Sequence, residues 1–145
     1  MKFLVINGVN LNLTGMREKG VYGTATLEEL NKQIASYCEA NGDEVDFYQN
    51  NIEGELVNKL HEANATKAYD GIVLNAGAYT HYSYAIRDAI AAIQVPVAEV
   101  HISNVHAREN FRNISVISEV CKGSICGFGV GSYLAAIVAL KSVLA

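Results

Sequence analysis

"GIVLNAGAYTHYSYAIRDAIAAI" (71–93) holds the pattern that decides the fold. "GIVLN" (71–75) is a short, almost wholly apolar run, "SYAIRDAIAAI" (83–93) has the spacing of an amphipathic helix, and a polar turn joins them. The unit recurs in both directions. Upstream, "KFLVI" (2–6) reads as a buried strand and "TLEELNKQIASYCEAN" (26–41) as a helix. Thr26 with Glu29 three residues on predicts a capping box, and Asn41-Gly42 a stop. "EVDFYQ" (44–49) is a second strand and "EGELVNKLHEAN" (53–64) a second helix. Downstream, Pro96 opens the strand "VAEVHI" (97–102), a short strand lies near "GSICGF" (123–128), and a helix over about 129–143 follows.

Strands that are apolar almost throughout, alternating with helices, belong to a parallel sheet covered on both faces. Five of them in 145 residues predict a single domain, 1–145, with a flavodoxin-like doubly wound five-stranded parallel sheet and helices on both faces. Half the residues are hydrophobic and 18% are charged, enough for a real core. A net charge of −4, with no basic run interleaved with aromatics, argues against a nucleic-acid partner. The 3 cysteines, Cys38, Cys121 and Cys126, have no CxxC spacing and read as reduced thiols of a cytoplasmic protein. The start "MKFLVING" lacks the signature of a signal peptide. "YLAAIVAL" (133–140) is too short to span a bilayer, so no membrane association is expected.

In doubly wound sheets ligands bind beyond the carboxyl ends of the strands. Asn7, Asn10 and Asn12 follow the first strand, and Asn75, Tyr79, Thr80 and His81 the third. Glu99 and His101 end the fourth, ahead of Ser103, Asn104, His106, Arg108 and Arg112. The reactive side chains thus gather at one edge. In "AEVHISN" (98–104), Glu99 and His101 are two apart and share a face of the strand. A carboxylate beside an imidazole fixes its tautomer and stabilises the imidazolium, which makes a usable general acid. The alternative is a structural histidine at an edge.

"NGVNLNLTGMREKGVYG" (7–23) contains Arg17 and Tyr22. A phenol with pKa ~10 is a poor base. An arginine at ~4 Å, with an effective dielectric of ~20, contributes on the order of 4 kcal/mol. That brings the tyrosinate within reach of neutral pH, provided that burial of the phenol does not oppose it. The alternative is an aromatic plug beside a solvated arginine. "NAGAYTHYS" (75–83) runs into a helix N-terminus whose N–H groups suit an anion, with His81 beside them, or else it is ordinary turn and cap chemistry. No zinc spacing, Walker A or G-x-G-x-x-G pattern occurs, and "GFGVGS" (127–132) lies before the last helix, so no metal or dinucleotide is expected.

In order along the chain, "NGVNLNLTGMREKGVYG", "QNNIEGELVNKLHEA", "LNAGAYTHYSYAIRDAI", "VPVAEVHISNVHARENFR" and "GSICGFGVGSYLAAI" closely resemble type II 3-dehydroquinate dehydratase, the small dehydroquinase. The chain departs from that family at Val9 and Ala76, where proline is usual, and at Asn113, where histidine is common. The resemblance implies a flavodoxin-like lyase that reversibly dehydrates 3-dehydroquinate to 3-dehydroshikimate. It implies anti elimination through an enolate, with no cofactor, metal or Schiff base. The pathway is the shikimate route to chorismate and aromatic amino acids, or quinate breakdown. By resemblance, Tyr22 is the base, Arg17 lowers its pKa and Asn12 helps to stabilise the enolate. His101 protonates the departing hydroxyl, held by Glu99. Asn75, His81, Ile102, Ser103 and Arg112 bind substrate, and Arg108 is a supporting loop contact. Asp88 approaches a neighbouring subunit's site, because the family forms trimers that pack into a dodecamer. Two rivals share the fold: a flavin- or phosphate-binding module, which a yellow purified protein would support, and a non-catalytic oligomeric scaffold.

Overall fold

The computed structural model describes residues 1–16 and 19–145, together with their side chains except those of Lys19 and Tyr22. The elements are β1 (Lys2–Asn7), a short α1 (Lys19–Tyr22), α2 (Leu27–Ala40), β2 (Glu44–Gln49), α3 (Glu53–Thr66), β3 (Gly71–Asn75), α4 (Tyr84–Ala92), β4 (Val97–His101), β5 (Gly123–Cys126) and α5 (Val130–Leu144). The expected strands and helices are all present, with ends that agree within about two residues. The long first loop carries more structure than expected, with a 3-10 turn at Leu11–Leu13 besides α1.

All strand pairings are parallel, in the order β2-β1-β3-β4-β5. The alternation of side chains along a strand sorts the core into two layers. Phe3, Val5, Val73 and Val100 face Leu30 and Ile34 of α2 and Ile137 and Leu140 of α5. Leu4, Ile6, Ile72 and Leu74 face Leu56 and Leu60 of α3 and Ile86 and Ile90 of α4. Strands covered on both faces are shielded from water at every position, which explains why β3 and β4 are buried throughout while the edge strands β2 and β5 are not.

The chain leaves β1 towards β2 on one side and later returns to β3 on the other, so the winding reverses between β1 and β3. Asn7 and Asn75, the last residues of those strands, stand in register there. Two glycines let the exit loops meet. A Cβ on Gly8 would lie 2.5 Å from the Ala76 carbonyl oxygen, and Gly77, at φ 63, would place one 2.7 Å from that of Val9. Ala76 itself has φ −75, a value that proline also adopts.

Local signals behave as their chemistry requires. Thr26 and Glu29 form the reciprocal capping box of α2, and Gly42 at φ 71 follows the helix's last cap residue, Asn41. Among the described residues no helix is long and apolar enough to cross a membrane.

Candidate active site

A cleft of about 610 Å³, partly open to solvent, lies at the reversal point. Val9, Asn10 and Leu11 line it from the β1 exit, and Asn75, Gly77, Ala78 and His81 from the β3 exit. His101, Ser103, Val105, Arg108 and Arg112 complete it beyond β4.

His101 and Glu99 are brought together as their spacing requires, with His101 Nε2 2.9 Å from Glu99 Oε1. Glu99 is 0% exposed and His101 8%. Burial works to raise the Glu99 carboxyl, but hydrogen bonds from His101, Ser118 and Ser115 and the charge of His101 outweigh it and hold the group below its ordinary value. Because Nε2 is committed to the carboxylate, Nδ1 is the ring nitrogen left for a ligand.

His81 is the second imidazole. Its Nδ1 lies 2.7 Å from the Ile114 carbonyl, an arrangement that needs the proton on Nδ1. Burial lowers its pKa, and the neighbouring His101 and Arg112 add to that, so at neutral pH the ring is uncharged. Nε2 then accepts a hydrogen bond and does not bring a positive charge to an anion. The α4 N-terminus is also occupied: Ile86 N–H donates to Ser83 Oγ at 3.0 Å, Tyr84 N–H to the Tyr82 carbonyl at 3.0 Å. Two of the amides expected to meet an anion therefore have partners within the chain. Residues 77–81 form a 3-10 turn whose N-cap, Ala76, makes no side-chain cap bond, and the cations Arg108 and Arg112 line the cleft.

Arg112 Nε donates to Glu109 Oε2 at 2.5 Å, and its guanidinium lies 4.7 Å from the Phe111 ring centre. Phe111 also meets His81 edge to face at 5.6 Å. Those contacts fix the stem of Arg112 and leave its terminal nitrogens for a ligand. Arg108 Nη1 donates to Ser103 Oγ at 3.3 Å, so Arg108, expected as a supporting contact, itself lines the cleft.

Asn75 is fixed from behind. Its Nδ2 donates to the Tyr133 hydroxyl at 2.9 Å, its Oδ1 accepts from Gly77 N–H at 3.1 Å, and Tyr133 donates to Asn7 Oδ1 at 2.6 Å. Tyr133 is 1% exposed and burial pushes its phenol far above the ordinary value, so it stays protonated and is no rival base. Tyr133→Phe should cost roughly 1–3 kcal/mol for each asparagine group left unpaired. Urea unfolding checks this, and an unchanged midpoint would show that the network contributes nothing.

Other expected site residues fall elsewhere. Asn12 is exposed on the 3-10 turn and does not line the cleft; from the same loop it is Asn10 that does. The reason is backbone geometry: Asn10 takes the left-handed conformation at φ 66, tolerated best by asparagine among side-chain-bearing residues, and its N–H is held by Asn51 Oδ1 at 2.9 Å. The Ile102 side chain is packed in the core and not against the cleft. Asp88 is 76% exposed in its side chain, pairs with Arg87 at 3.2 Å and does not line this cleft. Arg17 and the Tyr22 side chain lie outside the described residues; the Tyr22 backbone ends α1.

A carboxylate-held imidazole and two arginines thus meet beyond the strand ends of a doubly wound sheet, where α/β enzymes of this winding bind their ligands. The family model described as dehydroquinase class II matches residues 1–141, and the chain belongs to that family. The 3-dehydroquinate dehydratase of Caldicellulosiruptor bescii is 54% identical over 143 residues, which cover 99% of this chain and 98% of the relative. That of Thermotoga maritima is 50% identical over 144 residues, covering 99% and 97%. The crystal structure of type II dehydroquinase from Butyrivibrio crossotus superposes with a TM-score of 0.94 at 52% identity, covering 97% of each chain.

Proposed function

We propose that the protein is a type II 3-dehydroquinate dehydratase that removes water from 3-dehydroquinate by anti elimination through an enolate. The observation that carries this reading is the His101–Glu99 pair, 2.9 Å apart at the floor of a cleft with two arginines on its wall. His101 gives its Nδ1 proton to the departing hydroxyl, and the charge of Glu99 supports the imidazolium before transfer. Tyr22, made basic by Arg17, takes the proton beside the ketone. Asn10 replaces Asn12 as the polar group near the enolate oxygen, because of these two it is the one that lines the cleft. Arg112 and Arg108 meet the substrate carboxylate. Asn75, Ser103 and neutral His81 meet its hydroxyls. Ile102 contributes only through its backbone, because its side chain belongs to the core.

The product serves the shikimate pathway to chorismate, and the same chemistry serves quinate breakdown. Adding 3-dehydroquinate to the purified protein should raise ultraviolet absorbance as the conjugated enone forms; no rise would sink the reading.

Asp88 completes a neighbour's site within a trimer, and trimers pack into a dodecamer. Supporting this are its exposure and that of two large aromatic side chains at the start of the same helix, Tyr82 and Tyr84. Sedimentation should give the mass of the assembly, and an active monomer would refute it. Mixing Tyr22→Phe with Asp88→Ala subunits should restore some activity, because some mixed interfaces hold one intact site.

A further inference from the structure

Glu99 sits in a pocket of donors that the acid step does not by itself explain. Besides His101, its Oε1 accepts from Ser115 Oγ at 2.8 Å, and its Oε2 accepts from Ser118 Oγ. The direction of the Ser115 hydroxyl is set by the backbone. Ser115 Oγ accepts from Ile117 N–H at 3.3 Å and from Ser118 N–H at 3.1 Å. Both lone pairs are used, so its one hydrogen points at the carboxylate. Ile117, fully buried, closes the segment against the core.

We propose that Ser115 and Ser118 are positioning residues for the acid step: their hydroxyls hold Glu99 as an oriented anion and so keep the shared proton on His101. The inference rests on the reading of His101 as the acid. A buried pair of carboxylate and imidazole has two arrangements of one proton, an ion pair or two neutral groups. Burial favours the neutral arrangement. Donors aimed at the carboxylate oxygens favour the ion pair, since each bonds more strongly to an anion than to a neutral acid. Only the ion pair leaves a proton-bearing imidazolium facing the departing hydroxyl.

The other groups around Glu99 do not compete for that proton. Cys121 approaches from the segment before β5, and burial, with the charge of Glu99, pushes its thiol up to about 12, so it remains neutral. His81, across the cleft, is likewise neutral near pH 7. Arg112 lies beyond His81 and is paired with Glu109.

Ser115→Ala/Ser118→Ala should lower kcat by roughly 10–100-fold, the effect of losing a charge-assisted hydrogen bond, with KM nearly unchanged. The high-pH limb of the profile, which reports loss of the acid's proton, should move to lower pH. In the free protein, the His101 ring nitrogen resonances should shift towards the neutral form at a pH where the parent is imidazolium. Ser118→Thr retains a hydroxyl and should restore both readouts. Ser118→Ala alone, which leaves the Ser115 turn in place, serves if the double variant does not fold. An unchanged high-pH limb and unchanged His101 resonances in a folded variant would overturn the proposal. Because the resonances are read without substrate, that outcome is distinct from a parent protein that makes no enone, which would overturn the assignment of the reaction instead.

Discussion

His101→Ala should lower turnover by roughly 10²–10⁴-fold, the loss expected of a positioned general acid. The argument is geometric. The ring is held by Glu99 at 2.9 Å and its other nitrogen is left for the cleft, so no second residue in the described lining combines a titrating proton with that position. His81, the other imidazole there, has its Nδ1 proton committed to the Ile114 carbonyl and presents an acceptor. The elimination has two proton transfers, and only the second needs His101. In deuterated water the variant should therefore still exchange the acidic hydrogen of the substrate while forming little enone. Exchange and turnover falling together would show that the two transfers are not separable. Near-normal turnover would remove His101 from the mechanism.

Tyr22→Phe should reduce the chemical step by a similar ~10²–10⁴-fold, because it keeps the ring and deletes the base. Exchange of the substrate hydrogen in deuterated water should fall with it, the opposite of the pattern for His101→Ala. Substrate binding should survive, since the arginines, Asn75 and Ser103 are untouched. The pairing of Tyr22 with Arg17 carries its own check. In Arg17→Ala the low-pH limb of the pH profile, which reports the base, should move upward, as the phenol regains its ordinary pKa of ~10. An unmoved limb would show that Arg17 does not tune the phenol, and full activity in Tyr22→Phe would require a different base.

These two variants also divide what could be known before any coordinates. The strands and helices were legible because their signals are local: apolar runs, amphipathic spacing, the Thr26–Glu29 box and the Asn41-Gly42 stop each act within a few residues. Even the Glu99–His101 contact followed from the sequence, since side chains two apart on a strand must share a face. The parallel sheet, and with it the edge at which the polar residues gather, followed from strand–helix alternation.

What lay beyond the sequence was decided by long-range contact. Asn10 and Asn12 carry the same side chain two residues apart, and only a left-handed backbone at Asn10, held by Asn51 41 positions away, turns one to the cleft and leaves the other in solvent. Ser115 and Ser118 reach Glu99 across 16 and 19 positions from a segment with no periodic signal. Tyr133 meets Asn7 across 126 positions because α5 packs behind the strands where the winding reverses. Local propensity carries no term for such pairs. A buried hydroxyl or carboxylate finds its partner only after the sheet has closed and water has been excluded, so the identity of each partner belongs to the tertiary structure.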